Sequence, residues 1–86
     1  MESYRLLIKR SAAKELEALP RKDLARIAAK IERLAGNPRP PSSEKLSGEE
    51  KYRLRQGDYR ILYSIDDPSL TVTVVKIGHR REVYRK

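Results

Sequence analysis

Cysteine is absent from the 86 residues, which excludes disulfides, zinc–thiolate sites and thiol nucleophiles. Phenylalanine and tryptophan are absent as well, and the aromatics are five tyrosines. The core must then be built mainly from leucine, isoleucine, valine and alanine, with modest stability. A single histidine, His79, makes a paired-histidine ribonuclease mechanism impossible. No cluster of histidine and carboxylates has metal-ligand spacing, and Asp66-Asp67 reads as a turn, so no metal and no other cofactor is expected. No apolar run could span a bilayer and no signal-peptide pattern opens the chain. A cytoplasmic protein without membrane association is the expectation.

Acid is scarce relative to base. Lysine and arginine number 20 against 12 aspartate and glutamate, a formal net charge of +8. Such an excess points to a polyanionic partner: RNA, DNA, an anionic membrane or an acidic protein. The length suits one small domain, taken as residues 1–86.

Alternation of Tyr4, Leu6 and Ile8 with Arg5, Leu7 and Lys9 predicts a short strand. Ser11 can cap a helix that carries Ala12, Ala13, Leu16 and Leu19 on one side. Pro20 ends that helix and can begin the next. Over residues 21–36, Leu24, Ile27, Ala28, Ile31, Leu34 and Ala35 follow the helical spacing, and Gly36-Asn37-Pro38 is a stop with Gly36 available as a left-handed cap. Residues 39–50 read as a loop in which Leu46 serves as an anchor. Three strands follow at about 51–56, 59–65 and 70–78, joined by Gly57-Asp58 and by Asp66-Asp67-Pro68-Ser69. The expected fold is α+β, in the order β-α-α-β-β-β. A helical hairpin covers one face of a small, mainly antiparallel sheet and leaves the other face open.

That open face is where the charge gathers. In Lys51-Tyr52-Arg53-Leu54-Arg55-Gln56 the cations alternate with apolar residues and so share one side. With Gly57-Asp58 as a two-residue turn, Arg55 pairs with Arg60, and Arg53, Arg55 and Arg60 stand together. A three-residue loop would send Arg60 to the opposite face. The shorter turn is favoured by the glycine in first position. Charge on an exposed strand also guards against edge-to-edge aggregation, but one or two cations suffice for that. A converging group of three, with more arginine in the tail Gly78-His79-Arg80-Arg81-Glu82-Val83-Tyr84-Arg85-Lys86, suits a phosphate backbone better. Lys51, His79, Arg81 and Arg85 are expected to extend this surface as RNA contacts. His79 beside arginines reads as a contact rather than a general base. Tyr52, Tyr59 and Tyr63 read as packing residues.

The chain resembles the RelE/ParE family of toxins from type II toxin–antitoxin systems. The likeness lies in the opening strand, the Leu-Pro helix junction, Lys45-Leu46-Ser47-Gly48, the hairpin Tyr52 to Tyr63 and the ending Gly78 to Arg85. It implies the RelE branch, whose members cleave mRNA in the ribosomal A site, more than the ParE branch, whose members poison DNA gyrase. The positions matching the RelE pattern are Arg53, Arg55, Arg60, Arg80 and Tyr84, with Arg81 an alternative for Arg80. Two hairpin positions that are often lysine in that pattern are arginine here. Arginine stays protonated and cannot serve as a base, though it can orient a hydroxyl and stabilise charge.

What the resemblance implies is therefore an endoribonuclease that depends on the ribosome and attacks through the 2′-hydroxyl. Arg60 and Arg80 would clamp the phosphate, Arg53 and Arg55 would position the backbone and the attacking oxygen, and Tyr84 would stack on a base or support proton transfer. Tyr84 could instead pack over the sheet edge. The implied partners are an acidic antitoxin protein, the ribosome with its mRNA, and operator DNA reached through the toxin–antitoxin complex. A gyrase inhibitor and a non-catalytic nucleic-acid-binding domain are the alternatives.

Overall fold

In the computed structural model, which describes residues 3–46 and 51–79, the alternation along 51–63 folds into a hairpin with the expected two-residue turn. Strands β1 (Arg5–Ile8), β2 (Ser43–Lys45), β3 (Lys51–Gln56), β4 (Tyr59–Asp66) and β5 (Thr71–His79) form one five-stranded sheet. Its order is β1-β5-β4-β3-β2, with β1 parallel to β5 and every other pairing antiparallel. Helices α1 (Arg10–Glu17) and α2 (Arg21–Arg33) lie between β1 and β2 in the chain and pack on one face of the sheet. The α+β architecture is as the sequence predicts.

One face carries the core because strand parity and helical spacing converge on it. Tyr52 and Leu54 of β3, Ile61, Tyr63 and Ile65 of β4, and Val72, Val74 and Ile77 of β5 are buried against Ala12 of α1 and Ile27, Ile31 and Leu34. Ile27 has no exposed surface. A bulge between Leu62 and Tyr63 sets Leu62 opposite Lys76 but Tyr63 opposite Val74, so β5 carries one extra residue there. Past that point β1 has ended, and Glu15 of α1 takes over its role at the sheet edge. It accepts from the Ile77 N–H at 2.9 Å and from Lys76 Nζ at 3.0 Å.

Three local expectations are corrected. Ser11 is not the cap of α1: strand β1 runs almost directly into the helix, Lys9 occupies the cap position in an extended conformation, and Ser11 lies inside the helix. Gly36 is not left-handed, and Gly57 is the described glycine with positive φ. The end of α2 tightens instead, with Leu34, Ala35 and Gly36 each donating to the carbonyl three residues back. The segment 39–50 is not loop throughout, since Ser43–Lys45 pairs with β3 as a short edge strand. Leu46 is half-buried, and its N–H also donates to the Lys51 carbonyl at 2.8 Å.

A polar network fixes the connection that delivers β2. Arg39 grips Asp67 through both terminal nitrogens, at 3.2 and 2.8 Å. Its Nε donates to the Tyr52 hydroxyl at 3.0 Å, and its guanidinium lies 5.3 Å from the Tyr52 ring centre. Tyr52 stacks on Tyr63, whose hydroxyl donates to the Pro38 carbonyl at 2.7 Å. Tyr4 donates to Asp67 from β1's side of the sheet at 2.7 Å. Burial pushes the Tyr63 phenol above its ordinary pKa. Tyr52 and Tyr63 are thus packing residues, as expected, with their hydroxyls engaged.

Candidate nucleic-acid interface

The turn decides the geometry of the basic face. Gly57 adopts φ +60° and Asp58 is not among the positive-φ residues, the pattern of a turn with glycine required at its first central position. Gln56 then faces Tyr59, Arg55 faces Arg60 and Arg53 faces Leu62. Because Leu54, Ile61 and Tyr63 take the helix side, Arg53, Arg55 and Arg60 take the other.

These three arginines line a recess of about 80 Å³ together with Ser42 and Glu44. Arg55 is exposed, Arg53 half-buried, and Arg60 only 5% exposed. Arg60 sits on the central strand, flanked by Arg55 of β3 and by Gly78 of β5. Its side chain donates to the Tyr59 carbonyl at 3.2 Å. Among the described residues neither Arg55 nor Arg60 closes an ion pair with a carboxylate. Two guanidinium groups that keep donors open in a shared recess are arranged to receive oxyanions.

Glu44 is the residue that sequence reading missed. It reaches the recess from β2, where it pairs with Arg53 in register, and accepts from Arg53 Nη2 at 2.7 Å. The Arg53 hydrogen bond holds its carboxyl below the ordinary range, and the charges of Arg53, Arg55 and Arg60 add to the effect against a desolvation cost. A three-residue strand after a proline-rich stretch offers no periodicity, so the only available signal was one acid at a distance that happens to match a basic strand.

Lys51 shares the arginine face, opposite Ser64 at the far end of the hairpin. His79 does not. It pairs with Tyr59, whose face is that of the core, and its ring meets the Tyr59 ring edge-on at 5.9 Å and 79°. Arg80, Arg81, Tyr84 and Arg85 lie outside the described residues.

Residues 6–84 match the family described as the ParE toxin of the type II toxin–antitoxin system parDE. The chain belongs to that family. It is a RelE-like toxin of the RelE/ParE superfamily, as its relatives show. Toxin RelE of Mycobacterium tuberculosis is 34% identical over 86 residues, covering 95% of this chain and 87% of that protein. Toxin RelG of the same organism is 39% identical over 46 residues, about half of each chain at 54% and 51%. Among solved structures, the toxin–antitoxin complex RelBE2 of Mycobacterium tuberculosis contains a chain that superposes with a TM-score of 0.81 at 30% identity, over 93% of this toxin and 94% of that chain. Both the fold and the resemblance read from the sequence therefore hold.

Proposed function

We propose that this toxin is a ribosome-dependent endonuclease that cleaves mRNA in the A site, and that Arg53, Arg55 and Arg60 are its described phosphate-handling residues. The observation that carries the reading is the convergence of those three cations on one recess, on the face that the helices leave open. In the reaction, the 2′-oxygen of one nucleotide attacks the adjoining phosphorus as its proton leaves. The bond to the 5′-oxygen breaks, and that oxygen takes up a proton. The products are a 2′,3′-cyclic phosphate and a 5′-hydroxyl. Negative charge grows on the non-bridging oxygens, and fixed guanidinium donors stabilise it more in the transition state than in the ground state.

Arg60, set most deeply, is assigned the clamp together with Arg80. Arg53 and Arg55 position the backbone and the attacking oxygen. Tyr84 stacks on a base or aids proton transfer, and Lys51, Arg81 and Arg85 hold flanking phosphates. His79 contacts RNA only if the strand reaches round the end of the hairpin. Among the described residues Glu44 is the one carboxylate in the recess, but with its proton affinity lowered by three arginines it is a weak base at neutral pH. Slow intrinsic chemistry suits a toxin that needs the ribosome to order its substrate.

The same reading gives the chain an acidic antitoxin as partner, operator DNA bound through their complex, a cytoplasmic site of action and one domain over residues 1–86. A net charge of +8 complements such a partner. Among the described residues no helix is long and apolar enough to cross a membrane.

A second reading is favoured by the family description itself, since parDE toxins give the matching family its name. On that reading the chain would poison DNA gyrase. Inducing the chain in a bacterial host and mapping mRNA 5′ ends, with Arg60→Ala alongside, separates the two. New ends within translated codons that vanish in the variant support the nuclease. Growth arrest with intact mRNA and DNA damage supports gyrase.

A further inference from the structure

The arginine recess has a neighbour round the edge of the sheet. Strand β2 ends the sheet order, and Ser42, just ahead of it, lines two cavities at once. One is the recess of Arg53, Arg55 and Arg60. The other, of about 230 Å³, lies on the helix side between the end of α2 and the connection to β2. Leu34 and Leu54, each 1% exposed, form its floor, and Pro40 adds an apolar wall. Lys30 and Arg33, one turn apart on α2, supply charge, and Asn37 supplies an amide. The volume is below the roughly 300–1,000 Å³ that drug-sized ligands occupy and is on the scale of a single base.

Hydrogen bonding around this second cavity is lopsided, because the nearby acceptors are engaged and the donors are not. The Pro40 carbonyl accepts from the Ser43 N–H at 2.9 Å and from the Ser43 hydroxyl at 2.7 Å. The Arg33 carbonyl accepts from the N–H groups of Gly36 and Asn37 at 3.2 and 3.1 Å. The Asn37 side-chain carbonyl accepts from the Arg39 N–H at 3.3 Å, which leaves its amide nitrogen as a donor. Lys30 and Arg33 can only donate, and neither closes an ion pair among the described residues. The Ser42 hydroxyl, on an exposed residue, can donate as well. An apolar slot rimmed by donors and two cations fits a base whose edge carries acceptors, with a phosphate beside it. The keto oxygens of guanine and uracil are acceptors, where adenine and cytosine present amino donors.

We propose that this cavity is a subsite for one nucleotide flanking the cleaved bond, and that it selects keto bases over amino bases. The RNA strand leaves the recess past Ser42, turns round the sheet edge at β2 and seats a base over Leu34 and Leu54, with its keto oxygen toward the Asn37 amide. Lys30 and Arg33 take the adjoining phosphate. An apolar side chain of a protein would cover the same floor but would leave both cations without a counter-charge. The inference rests on the reading of the arginine recess as an RNA site, and it puts base selection outside that recess, on residues that take no part in the chemistry.

The test uses non-cleavable 2′-O-methyl oligoadenylates of six nucleotides in which a single inosine, a keto base in place of an amino one, is walked through each position. Affinity is read by fluorescence anisotropy at fixed salt, and occupancy of the cavity by the methyl resonances of Leu34 and Leu54 in the isotope-labelled toxin. Inosine at one position should bind about fivefold tighter than adenosine, the low end for a base-edge contact because the mouth is open to water, and should shift both methyl groups. Asn37→Ala should abolish that advantage and leave the all-adenosine affinity as it was. Should that variant fail to fold, Ser42→Leu, a change at an exposed position, narrows the way into the cavity and should abolish the advantage too. Arg60→Ala should weaken every oligonucleotide and keep the inosine advantage, so the subsite and the recess are read separately. Intact mRNA in the mapping experiment would end the nuclease reading, whereas the subsite is judged by affinity and methyl shifts alone. The proposal is overturned if no oligonucleotide binds, if inosine and adenosine bind alike at every position, if the Leu34 and Leu54 methyl groups do not respond, or if both variants keep the advantage.

Discussion

Arg55 and Arg60 stand directly opposite one another across the β3–β4 hairpin, two cations in one register pair. Like charges so placed oppose folding by roughly 0.2–1 kcal/mol. Arg55→Thr, which keeps strand propensity, should therefore raise stability by up to about 1 kcal/mol in denaturant melts while lowering toxicity. A stability gain paired with functional loss is the mark of a pair retained for what it binds. A variant both less stable and fully toxic would remove Arg55 from the site.

Glu44 occupies donors of Arg53 that a phosphate would otherwise use. Glu44→Gln should tighten binding of a non-cleavable RNA, such as a 2′-O-methyl oligonucleotide, by roughly two- to tenfold at low salt, because one repelling charge leaves the recess. Titrations at several salt concentrations check this, and the difference should shrink as salt rises.

Tyr63 has no exposed surface and its hydroxyl holds the Pro38 carbonyl. Tyr63→Phe should cost about 1–2 kcal/mol by leaving that buried acceptor unpaired, with toxicity preserved at temperatures where the fold persists. Loss of toxicity without loss of stability would mean that the hydroxyl positions Ser42 and β2 rather than merely holding them.

Asp67 is held below the ordinary carboxylate range, first by the Arg39 hydrogen bond and then by that of Tyr4. A carboxylate whose folded pKa is depressed stabilises the fold above its unfolded value, near 4, and loses that contribution as pH falls through the lower folded value. Glu44 acts in the same direction. The melting temperature should hold from neutrality to about pH 5 and then fall. Asp67→Asn should melt lower at pH 7 and show a shallower acid limb. Tyr4 is raised, chiefly by its hydrogen bond to Asp67, so its contribution is present below its ordinary value near 10 and is lost as pH climbs through the higher folded one.

Gly57 meets no atom within 4 Å at the place a Cβ would occupy, yet its φ of +60° is one that a side chain resists. Gly57→Ala should thus cost about 1–2 kcal/mol through backbone strain alone. Greater loss of RNA binding than of stability would show that the turn's shape sets the arginine register.

The hairpin was legible because three signals agreed: a glycine where the turn needs one, alternation on both sides, and cations confined to one parity. The core was legible for the same reason, since Ile27, Ile31 and Leu34 keep helical spacing without interruption. Glu44 and β2 were hidden because three residues are too few to display a period, and their pairing is imposed by the Arg39–Asp67 grip, a contact across 28 residues of sequence. Ser11 and Gly36 misled because both are common capping residues, while the actual helix ends were settled by a strand running into α1 and by tightening of the last turn of α2. The parallel placement of β1 beside β5 depends on the whole sheet and has no local signature.

Arg60 is carried by β4, which has a neighbour on each side and two further strands shielding those neighbours. Amides in such a strand open to solvent only when most of the molecule opens, whereas β1 and β2 can fray singly. Under heat, denaturant or a protease, the outer strands will be lost first, and the backbone beneath the deepest arginine will be among the last parts of the chain to let go.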